Sequence, residues 1–185
     1  MLLYFASHGS PREVDPNGVS YILANDTDTS DAATLYGTSL QMIDLVENIG
    51  GDIGAARVVL LLDTCYSGAA TISHHRGLKI VRDPAASYSV PLKKLLAVPG
   101  RAVVGSSQAD EQSMESAQRQ NGYFTHFFLE GLRKPAGGGT LEELFGFVRE
   151  RVSTTVRAEL GREQNPVLSS GPHANQIVLT AKPNQ

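Results

Sequence analysis

Five consecutive aliphatic residues, Val58-Val59-Leu60-Leu61-Leu62, run without a polar break into Asp63-Thr64-Cys65-Tyr66-Ser67-Gly68. An apolar run with no alternation does not suit a strand with one face in water. It predicts a parallel strand covered by helices on both faces. Such strands build α/β folds, whose reactive groups gather at the strands' carboxyl ends. The run therefore constrains both the fold class and the place where chemistry can occur. A second short apolar strand, Leu2-Leu3-Tyr4-Phe5, stops just before His8-Gly9. Each strand thus delivers one reactive side chain, Cys65 or His8, at its tip.

The rest of the chain alternates strand and helix. Residues 10–18 are rich in Pro, Asp and Gly and read as loop. Val19 to Leu23 reads as a short strand. Leu40, Ile43, Leu45-Val46 and Ile49 recur at helical spacing, with Ser39 as the expected N-cap and Gly50-Gly51 as the stop. Residues 69–90 lack an apolar period and read as a long loop, a feature usually functional or disordered in a compact domain. Pro91 opens a short helix carrying Leu92, Leu95 and Leu96, which stops near Pro99-Gly100. Ala102 to Gly105 reads as another buried strand. Helices are expected over 122–132 and 141–160, and a final strand at Ile177-Val178-Leu179. Together these give an α/β fold with a mainly parallel sheet flanked by helices.

At 185 residues the chain suits one domain with a sizeable core. A formal net charge of −3 provides no electrostatic footprint for nucleic acid. No apolar run reaches the ~18 residues of a membrane span, and the first residues lack the charged start and length of a secretory signal. Cys65 is the only cysteine, which excludes an internal disulfide and multi-cysteine metal sites. A lone thiol fits a reducing compartment, so a cytoplasmic location is expected.

A thiol attacks as thiolate and needs a base or a positive neighbour to lower its pKa. His8 can take that role and then protonate the leaving amine. The tetrahedral intermediate needs donors aimed at its oxygen, and the backbone N–H groups of Gly9 and Cys65 are candidates. Asp63 shares a strand face with Cys65, because side chains two apart point the same way. A carboxylate aimed at the thiol would raise the thiol's pKa and hinder attack. Asp63 is therefore better placed in a substrate pocket, where it would pair with an Arg or Lys side chain at P1. A lone cysteine on an apolar strand is more often an inert core residue, and a lone strand-end histidine a structural one. Finding both, each followed by a glycine motif, reverses that balance.

Other polar clusters carry less. His74-His75 lacks the three or four converging ligands that zinc requires, and no metal is expected there. Asp26, Asp28 and Asp31 lack the glycine and bidentate glutamate of an EF-hand. They read as a solvated or helix-capping loop, with Ca²⁺ as the lesser alternative and no other cofactor expected. His126 lies among Phe124, Phe127 and Phe128 and reads as packing.

The chain resembles the caspase-like cysteine peptidases, most closely the bacterial metacaspase-like branch. The matching stretches are Tyr4 to Gly9, Tyr21 to Asp26 and Leu60 to Gly68. Val103 to Ser107, Glu115, Gly122 to Thr125 and Gln164-Asn165-Pro166 follow in the family's order. The interval from His8 to Cys65 is also similar to the ~50 residues that separate the two in caspases. The resemblance implies a three-layer caspase-like sandwich over 1–185. Residues 1–68 would form a large-subunit-like part with the dyad, 69–90 the intersubunit loop and 91–185 a small-subunit-like part. It implies Cys65 as nucleophile, His8 as general base and acid, and Asp63 as a wall of the S1 pocket. Caspases carry glutamine where this chain has Asp63 and cut after aspartate, whereas metacaspases and paracaspases share the aspartate and prefer Arg or Lys. Arg76, Lys79 and Arg82 in the loop would then suit self-cleavage.

Two departures stand out. Ala6 offers no hydroxyl to the pocket where some metacaspases have serine. Family members also carry strand–helix units before the histidine strand, which by this resemblance are missing here, so an upstream chain segment or a regulatory domain completing the sheet edge is expected. The leading expectation is a cysteine endopeptidase acting on peptides or proteins after Arg or Lys. A caspase-like pseudoenzyme or scaffold, and an amidase using the same dyad, are the alternatives.

Overall fold

The computed structural model describes residues 1–10, 21–41, 44–45, 48, 54–64, 95–108, 111–133 and 139–179. In chain order its strands are β1 (Leu2–Ala6), β2 (His8–Gly9), β3 (Tyr21–Leu23), β4 (Leu40–Gln41), β5 (Val58–Asp63), β6 (Arg101–Gly105), β7 (Glu115–Ser116), β8 (Asn121–Gly122) and β9 (Val167–Ser170). The helices described along their whole length are α1 (Ala32–Thr38), α2 (Tyr123–Arg133) and α3 (Leu141–Leu160). The main sheet has the order β1-β5-β6-β9, and two short antiparallel sheets join β2-β3-β4 and β7-β8. β1 and β6 both run parallel to β5, while β9 is antiparallel to β6. The expected mainly parallel sheet is present, and the aliphatic run lies in its interior.

β5 is buried along its whole length, and its alternation explains the layering. Val58, Leu60 and Leu62 join Val103, Ile22 and Leu95 on one face, with Leu3 and Phe5 of β1 packed against them. Val59 and Leu61 join Ala102 and Val104 on the other, beneath Phe124, Phe127 and Phe128 of α2 and Leu144, Val148, Val152 and Val156 of α3. Burying five Val and Leu side chains contributes on the order of 10 kcal/mol as an upper estimate, so this strand anchors both layers. The spacing 144, 148, 152 and 156 is the i, i+4 stripe of a helix with one buried face. α3 starts at a capping box between Thr140 and Glu143 and ends at Gly161, whose φ is 62°.

The structure corrects several expectations. Ser39 does not start a helix; it caps the end of α1, with its N–H donating to the Leu35 carbonyl at 3.1 Å. Leu40-Gln41, expected in that helix, pair with β3 instead; Asp44, Leu45 and Asn48 beyond them are helical. α1 carries no apolar period, because among its described side chains only Leu35 is deeply buried. Ile177 to Leu179 is not a sheet strand. Leu141 N–H donates to Ile177 O and Leu179 N–H to Gly139 O, so this segment pairs with the entry to α3. Among the described residues the last sheet strand is β9, which does follow Gln164-Asn165-Pro166. The expected loop 69–90 and the Pro91 helix start lie outside the described residues. None of the helices among the described residues is long and apolar enough to cross a membrane.

Candidate active site

β1 and β5 pair with Ala6 opposite Asp63, so their carboxyl ends lie at the same level. Beyond Ala6 the chain leaves the main sheet. Ser7 N–H donates to Asp63 O at 3.2 Å, and the Ser7 hydroxyl donates to Leu23 O. His8 and Gly9 then pair antiparallel with Leu23 and Ile22. Ser10 closes the turn: its N–H donates to Tyr21 O and its hydroxyl accepts from Tyr21 N–H, both at 3.0 Å. This corner holds the His8 main chain in place while leaving the residue exposed at the rim. Gly9 is half-buried beside it. Cys65, Arg76, Lys79, Arg82 and His74-His75 lie outside the described residues.

Asp63 ends β5 on the face covered by α2, since it follows Val59 and Leu61 in the alternation. It is 9% exposed. Its Oδ1 accepts from the Ser113 hydroxyl at 2.7 Å and its Oδ2 from the Thr125 hydroxyl. The Tyr4 hydroxyl lies 2.6 Å from Thr125 Oγ1. Burial pushes the Tyr4 phenol above its ordinary value, opposed by the Thr125 hydrogen bond and aided by the Asp63 charge. Gly122 completes the surround, because a Cβ there would lie 3.0 Å from Asp63 Oδ2. Among the described residues Asp63 makes no ion pair. Hydrogen bonds to a carboxylate are worth about 1.5–3 kcal/mol each, so two donors offset much of the cost of burying this charge.

Behind this group stands Gln164, fully buried. Its Nε2 donates to Ser106 O at 3.0 Å and to Ser113 Oγ at 3.2 Å, and its Oε1 accepts from Met114 N–H at 2.9 Å. Glu111 grips Asn165 twice, accepting from its N–H and its Nδ2 at 2.6 Å each. Ser106 ties this loop back to β5, its N–H donating to Leu62 O and its hydroxyl to Thr64 O. The loop after β6 is therefore strapped to both β5 and the segment before β9.

Sequence reasoning placed Asp63 and His8 at strand ends, and the structure puts them there. It assigned no role to Tyr4, Ser113, Thr125 or Gln164. Thr125 and Gln164 fell inside stretches that matched the family in order only, and nothing in local pattern distinguishes them from other polar residues. Asp28 and Asp31 serve as local caps: Asp28 accepts from Ser30 N–H, and Asp31 from Ala33 N–H and Thr34 N–H. Those backbone donors hold both carboxyls below the ordinary aspartate range. Among the described residues no three His, Cys, Asp or Glu side chains converge as a metal site. His126 packs edge-on against Phe127, with ring centroids 5.0 Å apart.

A mainly parallel sheet with helices on both sides, bearing a histidine and an acidic strand end at one rim, defines a caspase-like α/β domain. The chain belongs to the caspase domain family, Peptidase_C14, whose model matches residues 1–176. A crystal structure of caspase-1 from Spodoptera frugiperda superposes with a TM-score of 0.58 at 16% identity, covering 100% of this chain and 64% of that one. A Geobacter sulfurreducens protein superposes with a TM-score of 0.56 at 15% identity, covering 97% of this chain and 70% of its own. The chain thus spans less than two thirds of the insect caspase. No curated protein sequence matches it.

Proposed function

We propose that this domain is a cysteine endopeptidase of the metacaspase-like kind, cleaving after Arg or Lys. Cys65 is the nucleophile and His8 the general base and acid. The Cys65 thiolate bonds to the scissile carbonyl carbon while the peptide C–N bond breaks, and His8 delivers its proton to the departing amine. Water then attacks the thioester, passing a proton to His8 and releasing the thiol. The N–H groups of Gly9 and Cys65 stabilise the oxyanion in both halves. Asp63 forms the S1 pocket, and Arg76, Lys79 and Arg82 are the sites of self-cleavage. No step requires a cofactor.

The observation that carries this reading is the Asp63 carboxylate, buried, held by two hydroxyl donors and without a cation among the described residues. A buried anion with that surround suits a guanidinium or ammonium group arriving with the substrate. Fluorogenic peptides with Arg, Lys or Asp at P1 test it, with Cys65→Ala and Asp63→Ala alongside. Turnover of Arg and Lys peptides, lost in Cys65→Ala, is expected. Absence of turnover on every peptide refutes the peptidase, and Arg cleavage surviving in Asp63→Ala refutes the pocket.

One observation favours a second reading, a scaffold that binds through the sheet. Among the described residues β1 ends the strand order, and Leu2 and Tyr4 on it are both 44% exposed. An open edge of that kind can take another strand. Partner capture that survives Cys65→Ala, in a protein without turnover, would favour it.

A further inference from the structure

We infer that Thr125 and Ser113 are positioning residues for cation selectivity, acting through Asp63, with Tyr4 and Gln164 setting the direction of their hydrogen bonds. This rests on the reading of Asp63 as the substrate pocket, and it assigns residues which that reading does not contain.

The argument is an inventory of protons. A threonine hydroxyl has one proton. Thr125 gives its proton to Asp63 Oδ2, so across the 2.6 Å contact Tyr4 must be the donor. The same holds on the other side. Ser113 gives its proton to Asp63 Oδ1 and therefore accepts from Gln164 Nε2. The orientation of the Gln164 amide is set by its neighbours. Its Nε2 meets the Ser106 carbonyl and its Oε1 meets the Met114 N–H, and a flipped amide would oppose like to like at both. Two chains of donors, Tyr4 to Thr125 and Gln164 to Ser113, thus converge on one carboxylate. A carboxylate offers about four lone-pair sites, and among the described residues the donors take one on each oxygen. The remaining directions suit a bidentate guanidinium, whose two N–H groups need both oxygens fixed in one plane. Removing the Thr125 hydroxyl frees Oδ2 and lets the plane turn.

The test compares wild type with Thr125→Val, Thr125→Ser and Ser113→Ala on peptides with P1 arginine and its uncharged isostere citrulline. Thr125→Val is expected to reduce the arginine-to-citrulline ratio of kcat/KM about tenfold, mostly through KM. Thr125→Ser, which keeps the donor, is expected to restore the ratio. A binding arm is independent of turnover: calorimetry of ethylguanidinium against ethylurea, in the Cys65→Ala background with and without Thr125→Val. Preferential guanidinium binding, weakened about tenfold by Thr125→Val, supports the inference even if no peptide is cleaved, in which case only the proposed peptidase fails. If arginine peptides are cleaved and Thr125→Val leaves the ratio unchanged, the inference is overturned and the peptidase stands. Equal loss in Thr125→Val and Thr125→Ser, or no guanidinium preference in the Cys65→Ala protein, also overturns it.

Discussion

Ala6 and Asp63 are register partners at the carboxyl ends of two parallel strands, and the main chain joins them again one step on, through Ser7 N–H to Asp63 O. His8 and Cys65 each follow a member of this pair by two residues in sequence. The proposed dyad therefore springs from one rung of the sheet. Replacing Cys65 with Ala should lower kcat by about 10³-fold or more, because the covalent step has no substitute nucleophile. His8→Ala should do nearly the same, with little change in KM, since in the proposed mechanism His8 moves protons and does not bind P1. Intact-mass spectra should show wild type clipped after Arg76, Lys79 or Arg82 and Cys65→Ala whole. Equal fragmentation in both would mean that another protease makes the cuts.

Gly122 leaves room for the Asp63 carboxylate by lacking a side chain. A Cβ there would lie 3.0 Å from Asp63 Oδ2 and 3.5 Å from Met114 O. The carboxylate is held by two hydroxyls and cannot withdraw without lengthening one of those bonds. Gly122→Ala should therefore weaken selectivity for P1 arginine several-fold. The measurement is the arginine-to-citrulline ratio, taken with a melting curve. A large loss of melting temperature with an unchanged ratio would show that Gly122 serves packing alone.

Gln164 is predicted to matter more for stability than any exposed residue of the site. It is fully buried, and Leu in its place would remove the hydrogen bonds that Gln164 makes with the Met114 N–H and the Ser106 carbonyl. Each unsatisfied buried group costs about 1–3 kcal/mol, so Gln164→Leu should lose about 2–4 kcal/mol in urea unfolding. A loss below ~0.5 kcal/mol would mean that the loop finds other partners and that the amide is not its anchor.

The difference between Asp63 and Gln164 shows what could be read from sequence. β5 announced itself because five aliphatic residues in a row have one good solution, a strand covered on both faces. Asp63 and His8 stood out because they broke apolar runs at strand ends, where α/β folds keep their chemistry. Ser113 and Thr125 meet Asp63, and Gln164 meets Ser113, only through contacts spanning 50 or more residues, which no local period encodes. β9 failed for a related reason. As an edge strand it is only partly buried, and Val167-Leu168-Ser169-Ser170 lacks the unbroken apolar signature of β5. Ile177, by contrast, is buried and aliphatic, but it packs beneath α3 and not in the sheet.

The last prediction concerns the hairpin next to the site. Arg119 forks onto Glu159 of α3, with Nη2 to Oε1 at 2.6 Å and Nη1 to Oε2 at 2.9 Å, and stacks 4.7 Å from the Tyr123 ring centroid. The Tyr123 hydroxyl donates to the same carboxylate at 2.7 Å. These contacts tie the β7–β8 turn, and with it the segment carrying Gly122, to α3. The Arg119 and Tyr123 hydrogen bonds hold the Glu159 carboxyl below its ordinary range, while the same bond raises the Arg119 guanidinium and keeps it charged. A carboxyl whose folded value is depressed adds stability above its unfolded value, near pH ~4.3, and loses it as pH falls through the lower folded value. Wild type should therefore exceed Glu159→Gln in urea midpoint at pH 7 and 5. The gap should close below the ordinary glutamate range and shrink in 1 M salt, because Glu159 is exposed to solvent and Arg119 only partly buried. A gap that stays constant from pH 7 to pH 3 would show that packing of the side chain, and not its charge, holds the hairpin to α3.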